Sequence, residues 1–233
     1  MSNNIPILMY HNITDDKNDT SAIYYKDFYN QIKLLTNLNY KSSNLKDICN
    51  ESYKKKFVIT FDDGYENISK IAQDILLEFN QRATCFIVYN RIDKVNDWDQ
   101  FSKNSNLSKI MNFNQINEWI NNGFEIGSHT LDHKNLTSLS VNEKKTQICE
   151  SANQLNKKFD INVVSFSYPY GKYDNECLNI LEKNYDYAVT TKKSLFNPLK
   201  NKMHEIPRIS ISRKTSTFKF LLKTLTIYEN LKF

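Results

Sequence analysis

The chain has 233 residues, 40% hydrophobic and 24% charged, with 31 Lys and Arg against 26 Asp and Glu for a formal charge of +5. That length suits a single α/β domain over residues 1–233 with a substantial core, and the composition is ordinary for a globular protein. The basic residues fall in short isolated runs, 54–56 and 192–193, which read as solvated faces and resemble no nucleic-acid module.

Cys49, Cys85, Cys149 and Cys177 are widely spaced and form no CxxC pair, which fits a reducing compartment better than a disulfide scaffold. Residues 1–12 lack a basic start and a long apolar run, so no signal peptide is read. No stretch approaches the ~20 apolar residues that span a bilayer. The expectation is a cytoplasmic protein with no transmembrane segment, or an exported one whose leader has been removed.

In chain order, residues 5–10 are an apolar run with a Pro near its start and read as a strand. Phe28, Ile32, Leu35 and Leu38 recur at helical spacing over residues 27–38. A second strand covers 57–61, a helix 66–79 carries Ile68, Ile71, Ile75 and Leu76 on one face, and a third strand covers 83–88. Residues 90–112 are polar and are expected to be a long loop, a length that points to function or disorder. A short helix over 114–121 stops at Gly123, and a fourth strand follows at 124–127. A long helix over 141–159 is capped by Ser140 with Glu143 three residues on. Strands at 162–167, 185–190 and 205–210 and helices at 175–184 and 217–225 complete the chain. About seven strands alternating with helices predict a parallel sheet, open or closed into a barrel, in which chemistry gathers at the C-terminal strand ends.

Those ends carry distinctive residues. The second strand runs into Thr60-Phe61-Asp62-Asp63-Gly64, whose adjacent carboxylates point apart, so that one can bind a metal while the other serves as a base; the Gly permits a tight turn. The fourth ends in Gly127-Ser128-His129-Thr130-Leu131-Asp132-His133, with two of the chain's 4 His four residues apart, expected on one helical turn facing the same way. One Asp with two His makes a triad with open positions, suited to a hydrolytic divalent metal: zinc first, cobalt or nickel as substitutes.

These motifs resemble the polysaccharide deacetylase family, the NodB-homology or family-four carbohydrate esterases, over nearly the whole chain. The resemblance implies a distorted (β/α)7-type barrel of class α/β and a hydrolase that removes acetyl groups. It implies Asp62 as catalytic base and Asp63, His129 and His133 as metal ligands. Ser167-Tyr168-Pro169-Tyr170-Gly171 is similar to the family's third motif, in which Tyr170 would offer its backbone N–H to the oxyanion. Two departures stand out. The family's third motif usually begins with an Arg that orients the base, whereas Ser167 stands here; Arg208, at the end of the last strand, is the candidate replacement. No late Leu-x-x-His supplies the general acid, but the first strand ends Leu8-Met9-Tyr10-His11. That arrangement resembles the branch containing poly-N-acetylglucosamine deacetylases and assigns the acid to His11, with His204 as a rival expected at the barrel's other end.

Tyr65, Trp98, Tyr168, Pro169, Tyr170 and Tyr173 are candidate substrate contacts, since aromatic faces stack on sugar rings; Trp119 reads as core. The expected partner is an N-acetylated sugar, an oligosaccharide or a carrier-linked glycan precursor. The alternatives are a hydrolase of non-sugar amides or cyclic imides and a catalytically silent carbohydrate-binding module.

Overall fold

The computed structural model describes residues 4–17, 19–50, 54–99, 107–226 and 228–230. The apolar run near the N-terminus forms a wholly buried strand, β1 (Ile7–Tyr10). Helix α1 (Tyr25–Asn37) then buries Phe28, Ile32 and Leu35, the spacing that puts them on one face. Next come β2 (Lys41–Ser43), β3 (Lys56–Phe61), α2 (Gln73–Glu78), β4 (Thr84–Ile87), α3 (Phe113–Asn121) and β5 (Glu125–Ser128). The second half holds α4 (Val141–Lys145), α5 (Ser151–Phe159), β6 (Ser165–Ser167), α6 (Asn175–Leu181), β7 (Tyr187–Val189), β8 (Ile209–Ser210) and α7 (Thr217–Leu225).

Every strand pairing is parallel, in the order β7-β6-β5-β4-β3-β1-β8, with β2 beside the start of β3. The residues leading into β8 close the curl. Ile206 N donates to Ala188 O at 2.9 Å and Thr190 N to Ile206 O at 2.8 Å, while β8 itself pairs with β1. One last segment thus spans from β7 to β1, and the sheet becomes a distorted barrel of one α/β domain. No helix among the described residues is long and apolar enough to cross a membrane.

Several local expectations change. The strand expected over 205–210 shrinks to Ile209–Ser210, because Pro207 has no N–H for a ladder. The strand β2 is short and polar, Lys-Ser-Ser, and carries no apolar signal; Ser42 is held instead by Gln81 and by paired bonds with the Arg82 backbone. The helices expected over 66–79 and 141–159 each contain a π turn, Ile68–Ala72 and Thr146–Glu150. Ser140 and Glu143 do form a reciprocal cap.

The described parts of the segment expected to be a long loop, 90–99 and 107–112, form a strap bonded across the first motif. Met111 N donates to Gly64 O at 2.9 Å, Glu66 N to Lys109 O at 2.8 Å and Ile110 N to Lys94 O at 2.9 Å. With Asn90 N donating to Leu131 O at 2.9 Å, these bonds lay the strap over the turns that follow β3 and β5, where the candidate chemistry lies.

Candidate active site

Asp62 and Asp63 follow directly from the last residue of β3, and their divergence has a backbone cause. Asp63 and Gly64 both take left-handed φ, 75° and 76°, so the chain reverses sharply after Asp62. Asp tolerates that region better than most residues, and Gly without penalty.

Asp62 is 3% exposed and faces an equally buried Arg208. Arg208 Nη1 and Nη2 each donate to one Asp62 oxygen at 2.7 Å, a two-pronged pair. The other guanidinium hydrogens are also used. Nε donates to Thr190 O at 2.9 Å, Nη1 to Thr60 Oγ at 3.1 Å and Nη2 to Ser167 Oγ at 3.2 Å. All five donors of the guanidinium are therefore satisfied. Ser167 Oγ in turn donates to Asp62 Oδ2 at 3.3 Å. A small side chain at 167 leaves room for a guanidinium arriving from the other side of the barrel. Burial by itself would raise the Asp62 carboxyl; the charge and hydrogen bonds of Arg208 outweigh it and hold the group well below the usual carboxylate range.

Asp63 turns the other way. Its Oδ1 lies 3.4 Å from His129 Nε2 and 3.4 Å from His133 Nε2, and the three donor atoms are within 4.8 Å of one another. Asp63 Oδ1 is buried without a hydrogen-bond partner among the described residues. Metal bonds of about 2.1 Å at tetrahedral angles would separate ligand atoms by about 3.4 Å, so the cluster fits a divalent cation. His129 Nδ1 sits 2.7 Å from Ser167 O, which makes Nδ1 the donor and turns the Nε2 lone pair toward Asp63. Burial opposes a charge on both rings: in His133 it prevails and pushes the pKa down to about 3, whereas in His129 the Asp63 carboxylate outweighs it and the pKa rises.

The two histidines do not share a helical turn. Thr130 and His133 have φ of 70° and 57°, and His133 N donates to Thr130 Oγ at 2.9 Å. A tight turn, rather than helical periodicity, brings the rings to 4.8 Å.

His11 follows β1, whose last residue pairs with the last of β3, and Asp62 N donates to Tyr10 O at 3.0 Å. His11 is half-buried and close enough to favour ionisation of both aspartates. His204 lies at the opposite end, its Nε2 2.7 Å from Tyr185 O ahead of β7.

The aromatic candidates divide. Trp98 and Tyr170 line an open cleft of about 650 Å³ that reaches the triad through His133. Trp98 stacks on the His133 ring, centroids 4.6 Å apart, and Tyr170 meets it edge-on at 4.7 Å. Tyr170 holds a left-handed φ of 59°, an unusual conformation for a bulky residue. Tyr168 and Pro169 are buried and offer no open face to a sugar: Tyr168 donates to His204 O at 2.9 Å and stacks on Tyr173. Tyr65 is also buried, beneath the strap, where its hydroxyl accepts from Asn96 at 3.2 Å. Thr60 and Ser167, which complete the Arg208 network, carried no separate functional signal in the sequence.

A model of the family described as Polysaccharide deacetylase matches residues 50–188. The chain belongs to that family. Among relatives, the poly-β-1,6-N-acetyl-D-glucosamine N-deacetylase of Staphylococcus epidermidis is 29% identical over 215 residues, 85% of this chain and 70% of that protein. The Bacillus subtilis protein YxkH is 27% identical over 81% of this chain, which spans 64% of that relative's length. Among solved structures, the Streptococcus pyogenes deacetylase PplD superposes with a TM-score of 0.80 at 23% identity, over 95% of this chain and 98% of that one. IcaB from Ammonifex degensii gives a TM-score of 0.77 at 17% identity, over 91% of this chain and 93% of that one. These likenesses establish the barrel.

Proposed function

We propose that this polysaccharide deacetylase-family hydrolase removes acetyl groups from N-acetylglucosamine residues of a glycan, using a divalent cation and water. The observation that carries the reading is the juxtaposition of an ionised, doubly anchored Asp62 with the Asp63, His129 and His133 cluster at the strand ends. The name of the staphylococcal relative supports the choice of sugar.

A cation held by Asp63, His129 and His133, zinc by its donor set, would supply Lewis acidity to an amide carbonyl and a nucleophilic water at neutral pH. Asp62 receives the proton that this water gives up as it adds to the acetamide carbon. Arg208 keeps Asp62 ionised and fixes the direction of its lone pairs, the part that an Arg in the third motif usually plays. Tyr170, in its left-handed turn beside the triad, is the residue whose backbone N–H would serve the oxygen that gains charge, an interaction typically worth about 3–4 kcal/mol. His11, across from Asp62 at the end of β1, gives a proton to the departing amine. Trp98 and the Tyr170 ring form the walls against which a sugar ring lies.

The test combines metal analysis with acetate release from β-1,6-linked N-acetylglucosamine oligomers. The expected result is about one zinc per chain, with acetate release falling roughly 10³-fold in Asp62→Asn at unchanged metal content. Hydrolysis of cyclic imides without acetate release from any N-acetylated sugar would overturn the assignment.

A further inference from the structure

The two histidines of the cluster are held in different ways. His129 is oriented by a hydrogen bond from its second ring nitrogen to Ser167 O, the usual device for a metal-binding imidazole. His133 has no such bond. Its Nε2 faces Asp63, while Nδ1 is buried and meets no hydrogen-bond partner among the described residues.

What lies against the His133 ring is Trp98. The planes are inclined by only 29° with centroids 4.6 Å apart, and the Tyr170 and His129 rings meet His133 at steep angles of 69° and 71°. Trp98 is itself seated. Its neighbour Asp97 pairs with Arg91 Nε, and Arg91 Nη1 reaches Asp132, the residue before His133, at 3.6 Å. Asp132 is anchored in turn by Asn90 at 2.8 Å and Gln147 at 2.7 Å. The pair Asp97-Trp98 on the strap thus docks side by side on the pair Asp132-His133.

We propose that Trp98 is a positioning residue for the metal centre, its stacked indole setting the plane of the His133 imidazole in place of the hydrogen bond that sets His129. This rests on the metal-binding reading of the cluster. Loss of the indole frees the ring to rotate about its Cβ–Cγ bond and turns Nε2 away from Asp63. Metal affinity falls, while the metal-free fold, which does not depend on the ring plane, is retained.

The experiment measures Zn²⁺ affinity by competition with a chromophoric chelator, and the visible spectrum after Co²⁺ loading, for wild type, Trp98→Ala and Trp98→Phe. Thermal unfolding of the metal-free forms is recorded alongside. Trp98→Ala is expected to bind Zn²⁺ about tenfold or more weakly and to show an altered Co²⁺ spectrum. Trp98→Phe, which keeps a flat face on the ring, restores affinity to within about threefold of wild type. Equal Zn²⁺ affinity in Trp98→Ala and wild type overturns the proposal and leaves the metal site standing. Equal weakening in Ala and Phe also overturns it, since a flat face would then not suffice. Absence of Zn²⁺ binding by wild type removes the metal reading and this proposal together.

Discussion

Asp62 and Glu125 are buried carboxyls of one sheet, the first just past the C-terminal end of β3 and the second at the N-terminal start of β5. They are equally hidden, 3% and 4% exposed, yet their acidities move in opposite directions. Burial raises both; only at Asp62 does a guanidinium overturn it. Glu125 is hydrogen-bonded by uncharged donors, Ser165 Oγ at 2.5 Å, Thr84 Oγ at 2.7 Å and Lys46 N at 3.0 Å, and these, with the Lys46 charge as a smaller contribution, lessen the rise without cancelling it. Uncharged donors offset part of the effect of burial at Glu125, whereas the paired guanidinium at Asp62 reverses it. One end of the barrel holds a carboxylate paired with a buried guanidinium; at the other a carboxyl ties three strands together.

The comparison breaks most completely at Arg208. Arg208→Met should convert Asp62 into a second Glu125, with burial no longer outweighed and its carboxyl raised. We expect kcat/KM for acetate release to fall at least 10²-fold, with its acid limb displaced to higher pH, because protonated Asp62 cannot receive the proton from water. Leaving the carboxylate buried and unpaired should also cost about 3–5 kcal/mol of stability. Arg208→Lys, with charge but no fork, should fall between. A pH–rate profile with an unmoved acid limb in Arg208→Met would show that Asp62 is not governed by this pair.

At the other end, Glu125→Ala deletes the acceptor for three donors from β4, β6 and the segment after β2. The expected loss is about 2–3 kcal/mol, or roughly 5–10 °C in Tm for a chain of this size, with metal content and kcat preserved. A matching loss of kcat would mean that the two ends are coupled, contrary to the separation drawn here.

How much of this could be read beforehand follows from which interactions are local. Asp62, Asp63, His129 and His133 were legible because each motif is a short contiguous string at a strand end. Arg208 could be suspected from its position, but its partners come from β1's neighbour β3, from β6 and from the residue after β7, contacts that only the closed barrel creates. The segment 90–112 reads as structureless because the order of its described parts rests on backbone bonds such as those with Gly64 and Glu66, which leave no side-chain pattern. Tyr168 looked available for sugar, since nothing local shows that its hydroxyl is taken by His204 O. The His129–His133 turn was misjudged as helical because a spacing of four suits both a helix and a turn closed by Thr130.

The finest probe is the pH dependence of stability at Glu125. Its folded pKa lies above its unfolded value near 4.5, so the native state binds the proton more tightly than the unfolded chain. The stabilisation from that proton is present in acid and is lost as pH rises from about 4.5 through the folded value. The depressed carboxyl of Asp62 works the opposite way, stabilising above the ordinary Asp range and losing its effect as pH falls through the folded value. Glu125→Gln removes the first dependence and leaves the second intact. With both proteins stripped of metal by chelator, the Tm of Glu125→Gln relative to wild type should therefore climb between pH 4.5 and 7.5. A difference that stays flat across that interval would mean that Ser165, Thr84 and Lys46 hold the carboxylate as well as water does, and that a guanidinium is not required to keep a carboxyl ionised inside this barrel.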